Sequence, residues 1–212
     1  MIQLGRSGAS TGNAEERRAL RSHFDAHHYV HLSRFLDVDL LSVVSGEIER
    51  AEFYERRHEA IKLELCLKED AVLLRALWFV ANDPNLFEFV REISGCGPIG
   101  CFEGRVYKMD PSLGHYDSWH DDVFDDRLIA MSINIGSARY EGGVLQIREI
   151  GSAAAPLEAP NPGYGDAILF RVAPHLEHQV SQVRGTVPKT AYAGWFKAGT
   201  PNLKASVTAS TR

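Results

Sequence analysis

The chain has 212 residues, 44% of them hydrophobic and 24% charged, with a formal net charge of −5 at neutral pH. This length and balance are typical of one soluble globular domain with a sizeable core. The slight negative charge and the lack of basic runs argue against nucleic acid as a partner. Without a long apolar run or an apolar N-terminal segment, we expect neither a membrane span nor a secretory signal. We therefore expect a cytoplasmic protein, and its oligomeric state stays open.

The first half of the chain is predicted to be mainly helical. Residues 1–13 are rich in Gly, Ser and Thr and are expected to be flexible. Periodic apolar residues then predict helices, with a short strand at 28–32 after the first of them. These helices cover about residues 14–27, 39–50, 70–82 and 85–93. We assign residues 14–95 to a mainly helical support.

After Gly95 the sequence changes to short strand-like runs separated by Gly, Pro, Asn and Asp. The runs cover residues 104–109, 116–122, 128–135, 144–148, 167–172, 178–183 and 192–196. Their regular spacing predicts a β-sandwich or barrel and not a parallel α/β sheet. We expect one domain over residues 1–212, with the β core at 96–198 and a loose tail at 199–212.

The three cysteines, Cys66, Cys96 and Cys101, are too few for a disulfide framework. Cys96 and Cys101 flank a Gly/Pro turn, but no second Cys or His pair follows at zinc-finger spacing. We interpret them as small buried thiols in a reducing compartment.

Two His-x-Asp pairs lie close together in Gly114-His-Tyr-Asp-Ser-Trp-His-Asp-Asp122, namely His115/Asp117 and His120/Asp122. Residues i and i+2 of a strand share a face, so either pair could direct an imidazole and a carboxylate at one ion. A histidine from a later strand would complete the two-histidine, one-carboxylate triad of iron(II) oxygenases. The pairs differ by an odd number of positions, so a regular strand would place them on opposite faces. Both could contribute only if the strand is bulged.

Further motifs follow the second pair in a fixed order. They are Arg127-Leu-Ile-Ala-Met-Ser-Ile-Asn-Ile135, Tyr140-Glu-Gly-Gly-Val-Leu-Gln-Ile147, Pro162-Gly-Tyr-Gly-Asp-Ala-Ile-Leu-Phe170, His178-Gln-Val-Ser-Gln-Val183 and Trp195-Phe196. With this series, the stretch from about 105 to 196 resembles the iron(II)/2-oxoglutarate-dependent dioxygenase superfamily, particularly its prolyl-4-hydroxylase-like branch. The resemblance implies a mainly β fold with N-terminal helices, in which the helices cover a double-stranded β-helix (jelly-roll, cupin-like) core.

The resemblance also implies roles for individual residues. The catalytic iron ligands fall on His120, Asp122 and His178, with His115/Asp117 left open as an alternative pair. Lys189, eleven residues past His178, falls near the position that holds the far carboxylate of 2-oxoglutarate, one residue beyond the usual spacing. Arg184 competes for that role, although it precedes Gly185 in a predicted hairpin turn. Tyr107 resembles a tyrosine that contacts the cosubstrate. Trp195 and Phe196 are interpreted separately as core residues.

The implied cofactors are Fe(II), 2-oxoglutarate and O₂, with ascorbate as a stimulant. The implied reaction is hydroxylation of an unactivated C–H bond, with release of succinate and CO₂. Its substrate would be a small molecule, an amino-acid derivative or a peptide side chain. Asp122 favours hydroxylation because the related halogenating enzymes lack this carboxylate. The alternatives are a non-catalytic metal- or ligand-binding jelly roll and a cupin-like metalloenzyme that does not use 2-oxoglutarate. Residues 153–160 are either a lid or a plain surface connection.

Overall fold

The computed structural model describes residues 2–56, 64–68, 71–124 and 126–199. Within these ranges the helices are α1 Ala14–His27, α2 Val38–Arg50, α3 Val72–Ala81 and α4 Pro84–Ser94. Capping residues explain several of the boundaries, because the side chains of Asn13, Asp37 and Asp83 accept hydrogen bonds from the first turns of α1, α2 and α4. The four predicted helices are therefore confirmed, with ends shifted by at most two residues.

The strands occupy both halves of the chain. They are β1 Gln3–Gly5, β2 Gly8–Ser10, β3 Tyr29–Leu32, β4 Phe53–Arg56, β5 Glu64–Leu67, β6 Cys101–Met109, β7 Asp117–His120, β8 Arg127–Asn134, β9 Glu141–Gly142, β10 Leu145–Glu149, β11 Leu157–Ala159, β12 Ala167–Arg171, β13 Leu176–Val180, β14 Val183–Arg184 and β15 Lys189–Lys197.

Two antiparallel sheets form the β body. The major sheet has the strand order β3-β12-β8-β15-β6-β5-β4, and the minor sheet has the order β11-β10-β13-β7. From β6 to β15 the chain passes repeatedly between the two sheets, with β6, β8, β12 and β15 in the major sheet and β7, β10, β11 and β13 in the minor sheet, which is a jelly-roll arrangement. The helices pack on the major sheet through a large apolar cluster that includes Phe24, Phe89 and Phe102. The predicted fold class, a helix-covered double-stranded β-helix, is confirmed.

The start of the chain differs from the expected flexible segment. Strands β1 and β2 pair as a hairpin, and the side chains of Ile2 and Leu4 are 1% and 0% exposed. The Leu4 amide donates to the Phe35 carbonyl, and the Asp37 amide donates to the Leu4 carbonyl. Although the segment is rich in Gly, Ser and Thr, the two buried apolar side chains are enough to hold it against the main apolar cluster.

The support region also contributes strands. Strand β3 extends one edge of the major sheet, and β5 followed by β4 extends the opposite edge beyond β6. Among the described residues, the minor sheet has no strands that match β5 and β4. The inner face of the major sheet therefore continues past the minor sheet's edge strand, β7.

Three smaller predictions concern the 153–160 segment, the cysteines and the C-terminal tail. The last part of the 153–160 segment forms β11, which pairs with β10, and Ala159 is buried. The cysteines are free, and burial raises the pKa of the Cys66 and Cys101 thiols to about 11, so both are protonated at neutral pH. The loose tail predicted from residue 199 onward lies outside the described residues except for Gly199. None of the described helices has the length and apolar character needed to cross a bilayer.

Candidate active site

Two neighbouring strands of the minor sheet bring together three side chains of the types that bind metal ions. His178 on β13 lies directly opposite His120, the last residue of β7, and Asp122 follows two residues later. One ligand atom from each of these three residues lies within 4.8 Å of the other two. Among the described residues, no other group of three or more His, Cys, Asp or Glu side chains meets this criterion. The arrangement could hold one metal ion.

A β-bulge decides which of the two His-x-Asp pairs reaches this point. His178 pairs with His120, but Val180 pairs with Asp117, so four residues of β7 lie against three of β13. The extra residue turns Asp117 to the face that carries His120. Asp117 Oδ1 lies 3.4 Å from His120 Nδ1, while His115 is buried elsewhere with its Nδ1 accepting the Asp110 amide at 2.9 Å. The structure thus brings Asp117 to the triad and leaves His115 outside it.

The Asp122 carboxylate is held by two side chains that the sequence did not single out as functional. Arg127 Nη1 lies 2.9 Å from Oδ1, and Trp195 Nε1 donates to Oδ2 at 2.8 Å. The Arg127 guanidinium also stacks 3.6 Å from the centroid of the Trp195 ring. Trp195 therefore lines the site and also packs against the smaller apolar cluster, and its neighbour Phe196 is fully buried as predicted.

These contacts determine the charge of Asp122. Burial favours the neutral acid, but hydrogen bonds from His178 and Trp195, with the nearby imidazoles, outweigh burial and lower the carboxyl pKa to about 2. The group is therefore an ionised carboxylate at neutral pH. It can accept a divalent cation without first losing a proton.

Lys189 lies at the other end of the same cavity. It is the first residue of β15, its side chain is buried, and its Nζ donates to the Gly143 carbonyl at 2.8 Å. Among the described residues, no carboxylate lies within ion-pair distance of Nζ. Burial lowers the pKa of Lys189 to about 8, partly opposed by the charge of Asp117. Arg184, the competing cation, lies exposed on β14.

One cavity of about 430 Å³ contains all of these elements. Its floor is the inner face of β15, where Lys189 and Trp195 are separated by small residues that include Ala193 and Gly194. Tyr107 lines the cavity from the adjacent strand β6, opposite Ala191. Burial is the main cause that raises the pKa of the Tyr107 phenol, so it is a neutral hydrogen-bonding group.

The sequence from Gly104 to Lys197 matches the family model of the 2OG-Fe(II) oxygenase superfamily. This match covers the strands that build the site, so the β core of the chain resembles members of that superfamily in sequence. Enzymes of this superfamily are oxidoreductases that use Fe(II), 2-oxoglutarate and O₂. No curated protein matches the chain by sequence.

Solved structures with the same fold include several members of this group. A Pseudomonas putida prolyl-4-hydroxylase aligns with a TM-score of 0.65 at 17% identity, over 86% of this chain and 99% of its own. A Burkholderia pseudomallei oxidoreductase of the 2OG-Fe(II) oxygenase family aligns with a TM-score of 0.67 at 15% identity, over 94% and 98%. The epimerase SnoN from nogalamycin biosynthesis aligns with a TM-score of 0.64 at 10% identity, over 92% and 87%. The fold is prolyl-4-hydroxylase-like, and the same fold also serves an epimerase.

Proposed function

We propose that this chain is a 2-oxoglutarate-dependent oxygenase that hydroxylates an unactivated C–H bond, with His120, Asp122 and His178 as its iron ligands. One observation carries the proposal. A single cavity contains a cluster of two histidines and one carboxylate and, at a separate place, the buried ammonium of Lys189, which has no carboxylate within ion-pair distance among the described residues. The substrate would be a small molecule, an amino-acid derivative or a peptide side chain.

The donor set fits Fe(II). Two imidazoles and one carboxylate leave further coordination positions open on a six-coordinate ion, as iron(II) oxygenases require. His120 Nδ1 lies 2.6 Å from the Ser118 carbonyl oxygen, so the ring donates there and leaves Nε2 for the metal. Arg127 and Trp195 would fix the orientation of the Asp122 carboxylate in the same way.

The far end of the cavity fits the second carboxylate of 2-oxoglutarate. Within the part of the chain that the structure describes, buried Lys189 has only the Gly143 carbonyl as a hydrogen-bond partner, and a buried ammonium without a counter-ion is costly. The ring centroid of Tyr140 lies 5.8 Å from Lys189 Nζ, and the buried Tyr140 hydroxyl has no hydrogen-bond partner in the described ranges. A carboxylate placed between these two groups would satisfy both of them. We assign Lys189 as the anchor and Tyr107 as a side-wall contact of the cosubstrate.

When bound, iron(II) with 2-oxoglutarate supplies O₂ activation coupled to oxidative decarboxylation of the cosubstrate. The protein's own part is to bind and orient the reactants. Lys189 sets the direction of the cosubstrate along the β15 floor, and Ala193 with Gly194 leaves space beside the triad for a substrate. The ring of Trp195 closes that space on the side of Asp122.

Anaerobic titration of Fe(II) and 2-oxoglutarate tests the site directly. We expect a visible charge-transfer absorption in the wild type and its loss in His120→Ala. An unchanged band in His120→Ala would contradict the ligand assignment and favour a site that uses Asp117. No band in the wild type would favour a cupin-like enzyme that does not use this cosubstrate.

Succinate formation tests the activity. With Fe(II), O₂, ascorbate and 2-oxoglutarate, the wild type should release succinate slowly without substrate, and Lys189→Met should not do so at the same cosubstrate concentration. A normal charge-transfer band with no succinate, even with candidate substrates, would favour a binding protein that kept the fold.

A further inference from the structure

The cavity continues from the triad onto the part of the major sheet that the minor sheet does not cover. Glu64 on β5 and Arg56 on β4 line the cavity together with Arg105 on β6. Arg56 and Glu64 are directly opposite each other on adjacent strands, so their side chains share the cavity face of the sheet. The Arg105 guanidinium carbon is 5.9 Å from the ring centroid of Trp195, which itself contacts Asp122. This polar surface, formed by Arg56, Glu64 and Arg105, therefore lies next to the proposed reaction centre.

The charges on this surface do not balance. Arg105 Nε and Nη2 lie 3.0 and 3.3 Å from the two carboxylate oxygens of Glu64, which is 3% exposed. Glu64 also accepts the Cys66 thiol at 3.3 Å, so both of its oxygens are used. Among the described residues, Arg56 has no carboxylate within ion-pair distance. Its half-buried guanidinium remains an uncompensated cation on the wall of the cavity.

The other charged side chains near the triad already have partners. Arg127 pairs with Asp122, and Lys197 pairs with Glu103 at 3.1 Å. In the proposed function, Lys189 binds the far carboxylate of 2-oxoglutarate. Asp117 is the remaining acid of the cavity wall, and it lies against His120. Lys197 also lies 3.2 Å from Asp126, so the charge that lacks an ion-pair partner beyond Trp195 in the described residues is the positive charge of Arg56.

We infer that the substrate carries a carboxylate, which Arg56 binds together with the Nη1 of Arg105, the guanidinium nitrogen that Glu64 leaves unused. This inference rests on the proposed function, because it treats the space beside the triad as the substrate site. Glu64 has a positioning role. Its two carboxylate oxygens hold the Arg105 guanidinium in one orientation, so the remaining N–H groups of that guanidinium are available to a ligand. A carboxylate at this surface places the rest of the substrate over Ala193 and beside Trp195.

Binding to the protein loaded with Mn(II) and 2-oxoglutarate under anaerobic conditions tests the inference without turnover. The probes are matched pairs: N-acetyl derivatives of leucine, phenylalanine and proline, each as the free acid and as the carboxamide. A capped peptide with one internal aspartate and its asparagine counterpart form a further pair. We expect acids to bind about ten-fold or more tightly than their amides, consistent with a charge-assisted hydrogen bond in a partly exposed site. Preference confined to the N-acetyl acids would identify a small acid, and preference confined to the aspartate peptide would identify an acidic side chain.

Arg56→Gln should remove most of the preference for acids, because it keeps a polar side chain but no charge. Arg184→Gln is the matched control, since this exposed arginine lies on β14 and does not line the cavity. Equal binding of acids and amides by the wild type, or an unchanged preference in Arg56→Gln, would overturn the inference. The 2-oxoglutarate charge-transfer band of the Fe(II) protein should be the same in Arg56→Gln as in the wild type. Loss of the band from the wild type itself would instead mean that the proposed function is wrong.

Discussion

At the scale of single residues, the unusual state of Lys189 has a consequence for cosubstrate binding. The pKa of its ammonium is lowered to about 8 by burial, compared with about 10.5 for an exposed lysine. In the ligand-free protein the ammonium loses its proton as the pH rises through 8, whereas a dianionic cosubstrate requires the charged form. We expect the dissociation constant of 2-oxoglutarate to rise about ten-fold between pH 7 and pH 9, since roughly one lysine in ten would stay protonated at pH 9.

Titration calorimetry with Mn(II)-loaded protein at several pH values measures this effect. Lys189→Arg is the control, because a guanidinium keeps its proton throughout this range. Its dissociation constant for 2-oxoglutarate should change little with pH, even if it is weaker overall. The same slope in both proteins would show that another group causes the pH dependence.

Trp195 allows a second test at the residue scale. Trp195→Phe keeps an aromatic ring beside Arg127 but removes the N–H that donates to Asp122 at 2.8 Å. Removing a hydrogen-bond partner of a metal ligand typically weakens metal binding 10- to 100-fold. We expect Fe(II) affinity, measured anaerobically by competition with a chelator, to fall about ten-fold. Trp119→Phe is the matched control, because Trp119 packs under Arg148 and does not line the cavity. Equal losses in the two variants would contradict a specific role for Trp195.

At the scale of elements, local signals in the sequence were sufficient for most helices and strands. Asparagine and aspartate caps mark the helix starts, and apolar periodicity marks their lengths. The bulge in β7 could not be predicted, because it depends on how β7 pairs with a strand about sixty residues away. The roles of Arg127 and Trp195 were missed for the same reason: their contact with Asp122 forms only when β7, β8 and β15 meet. Strands β4 and β5, which carry Arg56 and Glu64, gave no clear alternating pattern.

The β1–β2 hairpin is an element whose docking can be measured. Leu4 is fully buried, and its backbone is hydrogen-bonded to Phe35 and Asp37. Leu4→Ala should lower the free energy of unfolding by about 2–4 kcal/mol, the usual cost of removing a buried leucine side chain. Gln3→Ala, at the exposed neighbouring position, should change it by less than about 0.5 kcal/mol. Urea unfolding gives both values, and equal small effects would mean that the start of the chain is not docked in solution.

At the scale of the whole molecule, the two sheets contribute different groups of residues to the candidate site. The minor sheet provides His120 at the end of β7 and His178 on β13, and Asp122 follows β7 by two residues. The major sheet provides Lys189 on β15 and Arg56 on β4. The helices cover the opposite face of the major sheet and leave its inner face to the cavity. Because the major sheet extends beyond the minor sheet, the polar surface formed by Arg56, Glu64 and Arg105 can change in sequence without a change in the strands that carry the proposed metal ligands.

This arrangement predicts that Mn(II) and 2-oxoglutarate raise the thermal stability of the protein in a fixed order. A ligand that binds only the folded state at 100 times its dissociation constant stabilises that state by about 2.7 kcal/mol. For a chain of this size, that corresponds to a rise of about 5–10 °C in the midpoint of thermal unfolding. We expect Mn(II) alone to raise the midpoint and 2-oxoglutarate to raise it further only when the metal is present, because the ion holds one end of the cosubstrate and Lys189 the other.

His178→Ala should lose both increments, and Lys189→Met should lose only the second. His175→Ala, a nearby loop histidine whose ring lies against His28, should keep both. A cosubstrate shift without metal, or one that persists in Lys189→Met, would contradict this assignment of the two ends of the cavity.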